Sequence, residues 1–187
     1  MKLINKHIFS KFPSGFSLME LMVVIAIIGI LGAISIPRLM NPEHKASKAA
    51  RELMGDMQRT RISAIKTNQK WAIIFVPGNN NYLICSDPGA DGWSNTADNT
   101  TQKTVSFTDY AAGIQYGGGV ATTNATVGGG AFPVDNVSYG SNVLTFNSGG
   151  TCSAGYVYLF YGNASYALGT LSTGIVRIKR WTSGAWR

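Results

Sequence analysis

PSGFSLMELMVVIAIIGILGAISIP, residues 13–37, is the stretch on which the reading of this chain turns. From Phe16 to Ile36 the only formal charge is Glu20. As a helix rising about 1.5 Å per residue, this run reaches roughly 30 Å, enough to cross a bilayer core. Lys2, Lys6 and Lys11 precede it, and no acid lies before Glu20. Positive charge on that side holds the N-terminal end in the cytoplasm and sends the remainder across. An ordinary secretory signal has its small-residue cleavage site after the apolar run. Here the small residue, Gly15, comes before it. A cut after Gly15 would remove a basic leader and leave the apolar helix on the mature chain.

Ser14-Gly15-Phe16-Ser17-Leu18-Met19-Glu20 resembles the type IV prepilin signal. The resemblance implies cleavage by a membrane aspartyl peptidase between Gly15 and Phe16, with methylation of the new amine on Phe16. Glu20 then stands where that family keeps its acid, and Pro37 where many pilins carry a helix-kinking proline. A carboxylate in hydrocarbon is expensive and usually has a partner. One reading leaves Glu20 near the headgroups of a plain anchor. The resemblance implies another, in which Glu20 pairs with the N-terminal amine of a neighbouring subunit in a filament.

The 187 residues leave about 150 for one domain once leader and membrane run are set aside, enough to bury a core without metal or dense cross-linking. Hydrophobic residues make up 45% and charged ones 13%, with 22 glycines, many in Asn/Ser/Thr-rich runs; this favours a β-rich head with long loops. The formal charge of +7 is unevenly spread. Residues 38–70 and the last eleven positions are basic, whereas residues 71–176 set Lys103 against five Asp. A basic tail attracts nucleic acid or anionic headgroups, or is simply solvated. Cys85 and Cys152 allow a single intramolecular disulfide in an oxidising compartment; the alternative is two buried thiols.

Residues 43–68 have helical periodicity, with Ala46, Ala50, Leu53, Met54, Met57 and Ile65 on one apolar face. Residues 71–76 and 81–86 flank Pro77-Gly78-Asn79-Asn80 as a hairpin. Further strands are expected at 103–107, 142–146, 155–161, 166–170 and 175–181. The Gly/Thr/Asn tract 117–130 is expected to be an exposed loop. In the last strand Val176, Ile178 and Arg180 fall on one face, and Arg177, Lys179 and Trp181 on the other.

Residues 54–66, MGDMQRTRISAIK, look like the helix of the GspH/FimT family of minor pseudopilins and pilins. The early hairpin, Asp91-Gly92-Trp93 and Leu144-Thr145-Phe146-Asn147-Ser148-Gly149-Gly150 extend the resemblance. It implies an α+β, pilin-like fold: a long N-terminal helix, with a membrane half and an amphipathic half, packed on a head of two antiparallel β-sheets. The layout follows as leader 1–15, transmembrane and polymerisation helix 16–37, amphipathic helix 38–70 and periplasmic β-rich head 71–187. Some family members carry a Gly-Arg-x-Arg motif that contacts DNA. The matching Gly174-Ile175-Val176-Arg177 keeps Gly174 and Arg177 but has Ile175 for the first Arg; Lys179 and Arg180 are candidate substitutes, since phosphate contacts need charge more than exact spacing.

No catalytic set is apparent. His7 lies in the leader and His44 beside the membrane run, so neither cysteine has an evident base. No cofactor motif is present. Asp87, Asp91 and Asp98 share a loop without EF-hand spacing, and Asx turns account for them more cheaply than Ca²⁺. The expectation is a non-enzymatic minor pilin or pseudopilin of the bacterial inner membrane, spanning it once with a cytoplasmic N-terminus and a periplasmic head. Its implied partners are other pilins, the prepilin peptidase and the inner-membrane assembly platform. It would prime a filament or sit at its tip, with DNA uptake as the alternative role.

Overall fold

The computed structural model describes residues 15–39, 42–94 and 98–187, with side chains omitted between 34 and 42. Residues 1–14 of the expected leader, with His7 and its lysines, lie outside the described residues. The described residues divide into two compact units, one up to residue 39 and one from residue 42.

In the first unit, α1 runs Leu18–Leu39. Ser17 starts it. Its carbonyl accepts from Leu21 N at 3.2 Å, and its Oγ accepts from Glu20 N at 3.1 Å. That is N-cap geometry, and Ser-x-x-Glu is the sequence form of a capping box. Among the described residues no helix is long and apolar enough to cross a membrane; the apolar run 16–36 extends past residue 33, where described side chains stop. Pro37 lies within α1, its side chain outside the described set. Residues 40 and 41, through which one continuous long helix would pass, also lie outside it.

The second unit is built on α2, Pro42–Thr67. Four strands, β1 (Trp71–Val76), β2 (Asn81–Cys85), β3 (Thr101–Ser106) and β5 (Val143–Phe146), form an antiparallel sheet in the order β3-β2-β1-β5. A second antiparallel sheet has the order β4-β6-β7-β8-β9, from β4 (Gln115–Tyr116), β6 (Gly155–Tyr161), β7 (Ala164–Thr170), β8 (Val176–Thr182) and β9 (Ala185–Trp186). The hairpin at 77–80 closes through a short 3₁₀ turn with Asn80 left-handed (φ 50°), a conformation Asn tolerates.

One core joins helix and sheets. Ala46, Ala49, Ala50, Leu53, Met57 and Ala64 of α2 meet Ile73, Phe75, Leu144 and Phe146 of the first sheet and Val157, Leu159, Tyr166 and Leu168 of the second. The small alanines let both sheets approach the helix closely. Burying each Leu, Ile or Phe stabilises the head by about 1.5–3 kcal/mol. Ile65, expected on this face, is instead 48% exposed. The buried stripe continues through Thr60 and Ala64, one position to the side.

Residues 117–130 form an irregular and mostly exposed loop, as expected, but Gly117, Ala121 and Ala125 within it are buried. The tract lies over the outer face of the second sheet, where Ala125 and Phe132 cover Tyr158 and Ala167. Tyr158 Oη accepts from Ala125 N at 2.9 Å, Lys179 Nζ donates to Ala125 O at 3.0 Å, and Trp186 Nε1 donates to Thr123 O at 2.7 Å. All seven residues of β7 are consequently buried.

Cys85 and Cys152 are free and buried in separate clusters. Cys85 Sγ lies 3.7 Å from Thr101 Oγ1, and Cys152 Sγ donates to Leu171 O at 3.1 Å. The disulfide alternative is therefore not realised here.

Candidate functional site

The N-terminal motif presents itself on an unpaired surface. Gly15, Phe16 and Glu20 are all exposed, and Glu20 lines an open hollow with Ser17, Met19, Val23 and Val24. Leu18, Met19, Val23, Ile27, Val24 and Ile28, which at about 100° per residue fall all around α1, are exposed. A helix apolar on every side needs lipid or other helices around it. The Ser17 cap was missed in the sequence, although Ser17 three residues ahead of Glu20, directly before an apolar run, is the signal for it.

The second candidate, the last strand, is divided by the pleat. Register pairs Tyr166 with Arg180, Ala167 with Lys179, and Gly169 with Arg177. Arg180 therefore faces α2, and its Nη2 meets Glu43 Oε2 at 2.8 Å. Lys179 faces outward but is held by Ala125 O, with its Nζ 5.5 Å from the centre of the Tyr156 ring. Arg177 is exposed. Gly174 is buried in the β7–β8 turn at φ +84°, where a Cβ would run into Gly150 O and the Arg61 side chain. Its glycine identity thus follows from the turn. Of the basic trio, only Arg177 has no ion pair or side-chain hydrogen bond among the described residues.

A buried polar site was not anticipated. Asp56, 1% exposed, accepts from Tyr82 Oη at 2.7 Å and from Lys103 Nζ at 2.8 Å, with Arg59 Nη2 at 3.5 Å. Lys103 also reaches Glu52 at 3.2 Å. Burial pushes the Tyr82 hydroxyl far above its ordinary value, and the hydrogen bond to Asp56 adds to it. Burial alone would lower Lys103, but its bonds to Asp56 and Glu52 outweigh that and raise it. The sequence signal is an acid within the apolar stripe, between Leu53 and Met57. Fully partnered, this cluster fixes α2 against β2 and β3.

In the acidic loop, Asp87 Oδ1 accepts from Gly89 N at 3.1 Å and Asp98 Oδ2 from Ala90 N at 3.2 Å. Among the described residues no group of three or more His, Cys, Asp or Glu is placed to hold a metal ion.

Two families match this sequence. Residues 49–174 match Type II transport protein GspH, and residues 12–36 match the prokaryotic N-terminal methylation motif. The pilin-like protein PilA1 of Thermus thermophilus is 34% identical over 79 residues, 41% of this chain; the match spans 50% of that relative's length. Two structures of the minor pseudopilin EpsH from the type 2 secretion system of Vibrio cholerae align at 10% identity. One has a TM-score of 0.49 over 72% of this chain and 95% of EpsH, the other 0.48 over 74% and 95%. With a methylation motif at its start and GspH sequence through its helix and sheets, this chain belongs to the GspH family of type IV prepilin-like proteins.

Proposed function

We propose that this chain is a minor pilin or pseudopilin that is cut between Gly15 and Phe16, methylated on Phe16, and built into a type IV pilus or type II secretion pseudopilus. The observation that carries the reading is the joining of the methylation motif to an α1 that is apolar on all sides, in a chain of the GspH family. Before assembly the protein spans the inner membrane once, with its N-terminus cytoplasmic and its head periplasmic. The peptidase frees the Phe16 amine, and the assembly platform moves α1 from lipid into the filament. Apolar contacts with neighbouring α1 helices then replace those with lipid tails. Glu20 is the acid placed to neutralise the Phe16 amine of a neighbour, removing two charges from an apolar interior at once. The family is one of structural subunits, and the head's polar cluster is closed by its own side chains. A role in priming or at the tip follows from the minor-subunit reading.

DNA uptake has less support, because the pleat and the bonds of Lys179 and Arg180 leave Arg177 as the exposed cation of the strand. The primary reading is tested by co-expression with a prepilin peptidase and intact-mass measurement. The expected product lacks residues 1–15 and has gained one methyl group. Gly15→Val blocks the cut. Glu20→Gln leaves the cut in place and lowers recovery in sheared filaments. An uncut chain beside a control prepilin that is processed refutes the proposal.

A further inference from the structure

The apolar residues Met54, Tyr166 and Ile178 floor an open cleft of about 510 Å³ between α2 and β8, and Ser47, Arg51, Arg180 and Arg187 rim it. Its size suits a headgroup-sized ligand. Arg180 arrives there because it stands opposite Tyr166 on the inward face of β8. Arg187 is fixed beside it by reciprocal main-chain bonds, Arg187 N to Arg180 O at 3.0 Å and Arg180 N to Arg187 O at 2.7 Å. The acids nearby are Glu43 and Glu52. Glu43 pairs with Arg180, and Glu52 is engaged by Lys103 and Arg59. Arg51 and Arg187 have no side-chain partner among the described residues, and Arg180 Nε is buried with no hydrogen-bond partner. A second hollow on the same stretch of α2 adds His44 and Lys48.

We infer that this cleft binds the phosphate of an anionic phospholipid headgroup, an assignment that rests on the reading of this chain as a membrane-anchored prepilin. Guanidinium groups form forked hydrogen bonds to phosphate oxygens, and the unpaired guanidiniums of Arg51 and Arg187 are donors of that kind. The apolar floor beneath the cationic rim suits the glycerol and first methylenes of a lipid better than a small, fully hydrated anion. Chain continuity supports the same occupant. Arg38, Lys45, Lys48 and Arg51 follow the apolar run directly in sequence, and basic residues that follow a membrane run attract anionic headgroups.

The test uses the full chain in an uncharged detergent, titrated calorimetrically with dihexanoyl phosphatidylglycerol, dihexanoyl phosphatidylcholine and inorganic phosphate in turn. The expected result is saturable binding of the glycerol lipid, with the other two at least tenfold weaker. Arg51→Gln/Arg187→Gln should weaken that binding tenfold or more while the thermal midpoint of the head stays unchanged. Arg51→Lys/Arg187→Lys, which keeps charge but loses the forks, should recover only part of it. Equal binding of both lipids, equally tight inorganic phosphate, or an unaffected Gln variant each overturns the inference. No saturable binding does so too, and leaves the cleft to a carboxylate of a protein partner. A chain that is cut and assembled but binds no glycerol lipid loses this inference and keeps the filament reading; one that binds it but is never cut does the reverse.

Discussion

Replacing Asp56 by Ala takes away the acceptor on which Tyr82 and Lys103 converge, and the structure sets the size of the loss. Tyr82 is fully buried, so its hydroxyl is left without its 2.7 Å partner. An unmade buried hydrogen bond costs about 1–3 kcal/mol. Lys103 is different: its side chain is 38% exposed and retains Glu52, so losing its bond to Asp56 adds at most about 1 kcal/mol. The total is about 3 kcal/mol, at the low end of the 3–5 kcal/mol found when one partner of a buried ion pair is removed. For a unit of this size that lowers Tm by about 6–12 °C. Asp56→Asn, which keeps an oxygen for Tyr82, should cost about half as much. Thermal and urea unfolding of the full chain in neutral detergent, followed by tyrosine and tryptophan fluorescence, reads the change. The Asp56→Ala/Tyr82→Phe double variant should reveal a coupling of about 1 kcal/mol or more. An Asp56→Ala variant within about 0.5 kcal/mol of the parent, or strict additivity in the cycle, would refute the argument.

Alkaline pH should destabilise the head. Burial holds the Tyr82, Tyr116 and Tyr139 hydroxyls above their ordinary value of 10.0, and the Cys85 and Cys152 thiols above 9.0. The unfolded chain releases these protons first, so stability is full below pH 9 and falls as pH rises past it; Lys103, also raised, acts in the same direction. Above pH 10 each buried tyrosine contributes a slope of about 1.4 kcal/mol per pH unit, and urea midpoints that do not fall between pH 9 and 11 would contradict this. Gly174→Ala, with its positive φ and the Gly150 carbonyl against it, should cost more than about 1 kcal/mol, measurable as a lowered urea midpoint. Neither thiol should react with a disulfide reagent at pH 8 until urea is added, and fast native labelling of either would dispute its burial. Duplex DNA held through Arg177 alone would have a log–log salt slope of about −0.9, against several times that for a full basic groove; anisotropy titrations decide between them.

Much of this fold is legible because its signals are periodic. The apolar run, the change from helical spacing to alternation after Lys70, and the turn residues at 77–80 each correspond to an element. The alternation in the last strand already separated Arg180 from Arg177 and Lys179, and the register agrees. What escaped depends on contacts distant in sequence. The tract 117–130 is the exposed loop its composition suggests, but its docking on the second sheet through main-chain groups at Thr123 and Ala125, bonded to Trp186 and Tyr158, has no local signal. Two-residue strands such as β4 and β9 are too short to carry a period. Ile65 was misplaced because it stands about 100° to the side of the stripe that Thr60 and Ala64 continue. Asp56 and Lys103, 47 residues apart, have no local signature as a pair.

Arg61 joins parts of the head that no strand joins. Its Nε donates to Gly150 O at 2.9 Å and its Nη2 reaches Thr173 O at 3.5 Å. Gly150 belongs to the connection leaving the first sheet, and Thr173 to the turn inside the second. One side chain of α2 thus fastens both sheets at the same end. Local opening there cannot release one sheet while the other stays closed, so the two should open as one cooperative unit. In native-state hydrogen exchange, amides of β5 and of the β7–β8 turn would then exchange with a common free energy. Truncating Arg61 should lower those values together, because Cys152 N still donates to Ser172 O at 3.1 Å and Thr170 Oγ1 to Ser153 O at 2.6 Å.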